Sequence, residues 1–357
     1  MSCSEIDPIK ATPEQALTLS NDDKRRRFRE ARLAHPMIGE TLAEMRVLAT
    51  PDSGKNILLL TGPTGVGKST LIRILEEQVL RAHRAEMERD PSFIPIASIV
   101  APASGERGFS WRMFYHELGK ALQEPLLERK RETLHTNDPK PQALYAARTS
   151  VSAMRLSLER VMAERGVRTI IIDEAVPILR QARGNDLENH MDALKTLADK
   201  GATLVLVGSY DLHQLTRMSA QLARRMGVVH FRRYRSEVEE ERHAFSKVVR
   251  QLQNFLAIKG MPDLSRRSDD LMAACVGCVG ILKTVLTSVL ECAINNDGKW
   301  SEGFLDQSLL SQDQMITILK ETLHGERLLE TSALGSSSLE SLVKASKENS
   351  LAMKAAC

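Results

Sequence analysis

The sequence predicts an α/β fold: a parallel sheet of five strands flanked by helices, followed by a small all-helical unit. Three observations predict it. Short, continuous apolar runs alternate with helical patterns, as strands buried on both faces require. A Gly-rich phosphate-binding pattern follows the first run and opens a helix. After residue 235 the strand patterns stop, and only helical periodicity remains.

Composition bounds the problem. The 357 residues, 42% hydrophobic and 27% charged, are enough for two domains or one large domain with appendages. They exclude a wholly disordered chain and a disulfide-stapled miniprotein. The five cysteines, Cys3, Cys275, Cys278, Cys292 and Cys357, have no framework spacing. Residues 1–10 lack the apolar core of a secretory signal, so a reducing, cytoplasmic location is expected. Residues 271–294 are apolar but carry Lys283 and Glu291, short of the roughly 20 apolar residues a membrane span needs. No membrane partner is expected. A net charge of +3 argues nothing about nucleic acid by itself.

In chain order, residues 1–20 read as a flexible leader, 21–35 as a basic helix (Lys24-Arg25-Arg26-Arg27, Arg29, Arg32), and 37–49 as an amphipathic helix. Residues 1–55 thus form a leader and basic helical extension. Strands are expected at 56–60, 93–100, 169–172, 203–207 and 228–231, with helices at 68–84, 110–123 and 143–165. These give a core over 56–235, its strands parallel through right-handed crossovers. Ser236 and Glu239 read as a capping box opening a helix to about 258, and helices at 268–276 and 277–296 complete a lid over 236–298. Residues 299–357 hold one more helix, capped by Ser311 and Gln314 and stopping at Gly325, then a serine-rich tail.

The chemistry begins at Gly62-Pro63-Thr64-Gly65-Val66-Gly67-Lys68-Ser69-Thr70. This is the P-loop pattern in its required context, a strand before and a helix after. Its glycines let backbone N–H groups point at phosphate oxygens, Lys68 supplies a cation to the β- and γ-phosphates, and the Ser69 hydroxyl can ligate Mg²⁺. Next, Ile170-Ile171-Ile172 ends in Asp173 and Glu174. Asp173 suits the Mg²⁺ shell, and Glu174 suits the activation of an attacking water. Gly208-Ser209 closes another strand, where Ser209 is either a water-positioning hydroxyl or part of a turn. Arg224 and Arg225 end a helix just before the fifth strand. They suit a finger to a neighbour's γ-phosphate, and equally a complement to the helix dipole. Lys283, on an apolar helix, needs an anion such as bound nucleotide or a route to solvent.

Cys275-Val276-Gly277-Cys278 has no second pair and no histidine cluster, so it reads as packed helix rather than zinc site. For DNA backbone contacts the candidates are Arg107 and Arg112 in the segment after the second strand, with the 24–32 helix and Arg232-Arg233-Tyr234-Arg235 as further cations.

These five elements in this order resemble the AAA+ ATPases. More narrowly, residues 24–297 resemble the TniB/TnsC regulators of transposition, and ExeA-like and Orc/Cdc6-like ATPases share several of the motifs. Gly280-Ile281-Leu282-Lys283 departs from the lid motif by lacking its Asn/Asp and Arg. The resemblance implies ATP and Mg²⁺ as cofactors and an assembly of the chain with itself, as a ring or filament on duplex DNA. It also implies a DDE transposase of the TnsB/TniA type and a target selector of the TniQ/TnsD type as partners, with hydrolysis driving disassembly. A replication initiator or helicase loader is the nearest competitor. A metabolic P-loop kinase and a non-hydrolysing switch are more distant ones.

Overall fold

The computed structural model describes residues 7–33, 35–103, 105, 108–125, 127, 151–181, 186–217 and 220–330. Its N-terminal part corrects the expectation of a loose leader and a free basic helix. Helix α1 (Pro13–Ala16) is closed by a capping box between Thr12 and Gln15, and Ala11 and Ala16 are buried. Helix α2 (Asn21–Glu30) follows, capped by Ser20. Its cations are mostly committed inside the protein. Arg27 is 3% exposed and donates to the carbonyls of Pro8 at 2.6 Å and Asn254 at 3.2 Å. Arg25 forks onto Glu291 at 2.9 Å, and Arg32 pairs with Glu77. Helix α3 (Pro36–Leu48) then lies against the sheet, with Met37, Ile38, Leu42 and Met45 buried.

The sheet strands are β1 (Ile57–Thr61), β2 (Ile96–Val100), β3 (Thr169–Asp173), β4 (Thr203–Gly208) and β5 (Met226–His230). Between β1 and β2 run α4 (Lys68–Ala82) and α5 (Arg84–Arg89); α6 (Trp111–Ala121) and α7 (Val151–Glu164) precede β3. Helices α8 (Val176–Arg180) and α9 (Asp186–Ala198) precede β4, and a 3₁₀ segment (Tyr210–Arg217) with α10 (Ala220–Arg225) leads into β5. All pairings are parallel, in the order β2-β3-β4-β1-β5. The five-stranded parallel sheet expected from the apolar runs is therefore present.

Side chains alternate between two faces, as the period of two in a strand demands. Leu58, Leu60, Ile171, Val205, Val207 and Val229 join one core, whereas Ile57, Leu59, Ile170, Ile172, Leu204 and Leu206 join the other with α6, α7 and α9. The first core runs on without a break into the helices after β5: α11 (Glu239–Gln253), α12 (Ser268–Ala274) and α13 (Val279–Ile294). Burying an apolar helix such as α13 is worth roughly 1.5–3 kcal/mol for each large aliphatic side chain, which is why this helix packs inward despite Lys283. Among the described residues, no single helix is long and apolar enough to cross a membrane.

Two sequence-based expectations about caps fail. Ser236 does not cap α11: its hydroxyl bonds the Glu237 carboxylate at 3.4 Å, and the residue before the helix, Val238, offers no side-chain cap. The carboxylate that closes this corner is Glu241, which accepts from the Arg235 backbone N–H at 2.7 Å. Helix α14 (Gly303–Ser308) precedes the last one, α15 (Gln312–Glu330). The Ser311–Gln314 box is present, at 2.9 and 3.3 Å, but Gly325 does not stop α15. A Cβ there would sit 2.0 Å from the Tyr210 ring, so the missing side chain lets the helix lie on that ring. The serine-rich tail falls outside the described residues.

Candidate functional site

The loop after β1 folds as its glycines require. Gly65 and Gly67 hold φ of +74° and +113°, a left-handed backbone that side chains other than glycine rarely adopt. A Cβ on Gly62 would lie 2.3 Å from the Phe231 carbonyl. Helix α4 begins directly at Lys68, so its free N–H groups open into the cavity beside the loop, where an anion is favoured by both hydrogen bonding and the helix dipole. That cavity is about 440 Å³ and is lined by Thr64, Gly65, Gly67, Lys68, Ser69 and Thr70. The backbones of Gly62, Pro63 and Val66 complete the turn behind it, with Val66 N–H donating to Pro63 O at 3.3 Å. The Lys68 ammonium rests on the carbonyls of Gly62 and Pro63 at 2.9 and 3.0 Å. Burial lowers its pKa, and the nearby carboxylates of Glu174 and Asp173 oppose that shift.

Across the cavity stand the ends of β3 and β4, because the sheet register sets Thr61 of β1 beside Gly208 of β4. Glu174 and Ser209 both line the cavity. Glu174 holds φ of +50°, a strained setting of the kind that clusters at functional positions. Its N–H donates to Asp173 Oδ1 at 2.8 Å. That bond engages one oxygen of the Asp173 carboxylate. Among the described residues, no group of three or more His, Cys, Asp and Glu is arranged to hold a metal alone. Ser69 lines the cavity and Asp173 ends strand β3 without itself lining the cavity; a hydroxyl and a carboxylate are oxygen donors of the kind Mg²⁺ takes together with phosphate and water.

One expected residue is placed elsewhere, and the arginine pair lies away from this cavity, in which no role was expected of it. Lys283 does not face the cavity: its ammonium donates to the carbonyls of Arg29 and Ala31, at 3.0 and 2.7 Å, beyond the C-terminal end of α2. The lid meets the loop instead through Gly280 and Ile281, whose N–H donates to Gly65 O at 3.1 Å. A Cβ on Gly280 would lie 2.4 Å from that same oxygen. Arg224 and Arg225 sit at the opposite end of the sheet, since Met226 of β5 pairs with Ile57, the first residue of β1. They line a second cavity of about 720 Å³ with Lys55 and Asp52. Arg225 pairs with Asp199, and Lys55 donates to Arg224 O at 2.8 Å.

The cations proposed for DNA fare unevenly. Arg107 lies outside the described residues. Arg112 is half-buried in the first turn of α6, beside Phe109 and Trp111, which pack edge-to-face at 5.2 Å. Arg232, Arg233 and Arg235 are all held in ion pairs with Glu40, Glu241 and Glu326. The CxxC thiols are buried, and burial pushes both up to about 12; they sit in the turn between α12 and α13, not inside a helix as expected.

Two charged cavity residues escaped the sequence reading. Arg180, at the end of α8, lines the cavity. It follows the short run Val176-Pro177-Ile178-Leu179 after Glu174, a spacing that could have suggested it. Glu321 of α15 also lines the cavity, brought there by the Gly325–Tyr210 contact and the Arg233–Glu326 pair at 3.0 Å. Nothing local signals it.

Comparison with known proteins bears on the fold. Residues 51–216 match the AAA domain family. No curated protein matches the chain. Among solved structures, it is similar to the ORC2 protein of Aeropyrum pernix in its ADPNP–ADP complexes: 15% identity, TM-score 0.52, over 79% of this chain and 70% of that one. It is likewise similar to the Aeropyrum pernix ORC1 protein in complex with DNA: 15% identity, TM-score 0.51, over 77% of this chain and 65% of that one. Likeness at that identity speaks for the fold. The chain has the AAA+ P-loop fold, a parallel five-stranded sheet with a helical C-terminal region.

Proposed function

We propose that this chain is an ATPase whose ATP-bound form assembles with itself on duplex DNA, and that it regulates transposition. The observation that carries the ATPase part is the meeting of Lys68, Ser69, Glu174 and Ser209 around one cavity. Loop and helix N–H groups with Lys68 would bind the triphosphate, and Ser69 with Asp173 would hold Mg²⁺. Mg²⁺, when bound, neutralises phosphate charge. Glu174 would accept the proton of the attacking water, with Ser209 positioning that water.

Self-assembly is supported by the position of Arg224 and Arg225 at the sheet end away from the cavity. From there, a guanidinium can reach a γ-phosphate only in a neighbouring copy. DNA contact would be to phosphates, through Arg107 and Arg112, one or two cations per copy multiplied along an assembly. The transposition setting, with a DDE transposase and a TniQ/TnsD-type selector as partners and hydrolysis releasing the copies, rests on the TniB/TnsC-like motifs. The likeness to the two origin-recognition proteins supports a second reading, a replication initiator or helicase loader, which would favour particular DNA sequences.

Mg²⁺-dependent ATP hydrolysis measured with and without duplex DNA, alongside sedimentation with a non-hydrolysable analogue, tests the proposal. We expect hydrolysis stimulated by DNA, and oligomers with the analogue but not with ADP. A chain that remains monomeric with analogue and DNA would defeat the assembly part. Pull-down of a purified transposase by the analogue-bound assembly, with no preference among DNA sequences, separates regulator from initiator.

A further inference from the structure

The nucleotide cavity is poorly supplied with cations. Among the described residues, its charged lining consists of Lys68 and Arg180 against Glu174 and Glu321. The cation expected from the lid is spent on α2 carbonyls, through the two bonds of Lys283. ATP bound with one Mg²⁺ still carries about two negative charges near neutral pH, because each triphosphate carries about four and the metal offsets two. Lys68 alone cannot balance them.

From this we infer that Arg180 is the second phosphate-binding cation of the site, contacting the γ-phosphate end of ATP, with Asp211 as its positioning residue. The local structure explains how it gets there. Helix α8 starts two residues after Glu174 and buries Val176, Ile178 and Leu179, so Arg180 emerges from the end of a short, well-anchored turn. Its Nη2 donates to Asp211 Oδ2 at 2.6 Å, and Asp211 follows Ser209 by two residues in the 3₁₀ segment. The guanidinium is thereby tethered between the β3 and β4 ends, the same two ends that deliver Glu174 and Ser209. It remains 71% exposed. A guanidinium has five N–H donors in a planar fork suited to phosphate, and the Asp211 bond uses one of them. Because Arg180 stands with the water-activating groups, the phosphate it meets is the terminal one. ADP lacks that phosphate.

This inference rests on the nucleotide-site reading, and calorimetric binding of Mg²⁺ with a non-hydrolysable ATP analogue, and separately with ADP, distinguishes the two. Arg180→Ala is expected to weaken the analogue at least tenfold while leaving ADP within about twofold. Arg180→Lys should recover part of the loss, and Asp211→Asn should fall between wild type and Arg180→Ala for the analogue only. A merely structural role would weaken both nucleotides together, which would overturn the assignment, as would analogue binding by Arg180→Ala within twofold of wild type. If wild type binds neither nucleotide, the nucleotide reading itself falls and takes this inference with it. If wild type binds both, and Lys68→Ala loses both, that reading stands whatever Arg180→Ala does.

Discussion

The two ends of the sheet are built on the same strand, β1, and differ in what they gather. At the C-terminal end of β1, the chain encloses a cavity with a glycine-strained loop, a helix start, and two strand ends carrying Glu174 and Ser209. At the N-terminal end, Lys55, Arg224 and Arg225 line a second cavity with Asp52, where Arg225 pairs with Asp199 and Lys55 donates to Arg224 O. β1 has five residues, so the ends are separated by roughly 17 Å, at about 3.3 Å per residue. An arginine side chain cannot cover that distance. On the reading proposed above, one end would hold the nucleotide and the other would offer Arg224 and Arg225 to a neighbouring copy.

Breaking each end separately should therefore have different consequences. The largest effect is expected from Glu174→Gln, which keeps the cavity but removes the base: hydrolysis should fall by about 10²–10⁴ while analogue binding persists. Steady-state phosphate release and calorimetry measure the two. Next comes Lys68→Ala, which should weaken both ATP and ADP by on the order of a hundredfold, as removing one partner of a partly buried charge pair does. Replacing Arg224 and Arg225 together with alanine should leave the affinity of the isolated chain for nucleotide within about twofold. It should, however, raise the concentration needed for assembly by on the order of tenfold, a loss of about 1.4 kcal/mol. Sedimentation across a concentration series reads this. The smallest effect belongs to Glu321→Gln. Removing an exposed carboxylate from the cavity mouth should tighten ATP binding by about two- to fivefold at low salt, and less at high salt, where the charge is screened.

The same contrast explains what the sequence made legible. The P-loop, the Asp173–Glu174 strand end and Ser209 were readable because each is local: glycine spacing, a buried strand and its last residues determine them together. The direction of Lys283 was not, because the phase of α13 is set by Gly280 and Ile281 closing onto Gly65, a contact between residues more than 200 positions apart. Lys283 then lies on the α2 side. The basic character of α2 misled for a similar reason. Composition counts charges, whereas Glu291 and the carbonyls of Pro8 and Asn254 that absorb them lie elsewhere in the chain. Gly325 read as a helix stop because glycine usually is one near a C-terminus. Here its bareness admits Tyr210, and with that contact comes Glu321. Each miss is a tertiary approach with no local mark.

The central claim, that the two sheet ends complete one another between copies, is tested most directly by mixing two inactive variants. Lys68→Ala chains should bind ATP on the order of a hundredfold more weakly, and so stay largely empty at limiting ATP, but keep their arginines. Chains with both Arg224→Ala and Arg225→Ala hold ATP but lack the fingers. Each alone should hydrolyse ATP at a small fraction of the wild-type rate. An equimolar mixture with duplex DNA should recover a substantial part of the activity, because some interfaces then join an intact cavity to intact arginines. Hydrolysis by the arginine double variant alone at the wild-type rate, or a mixture no more active than its parts, would contradict the claim.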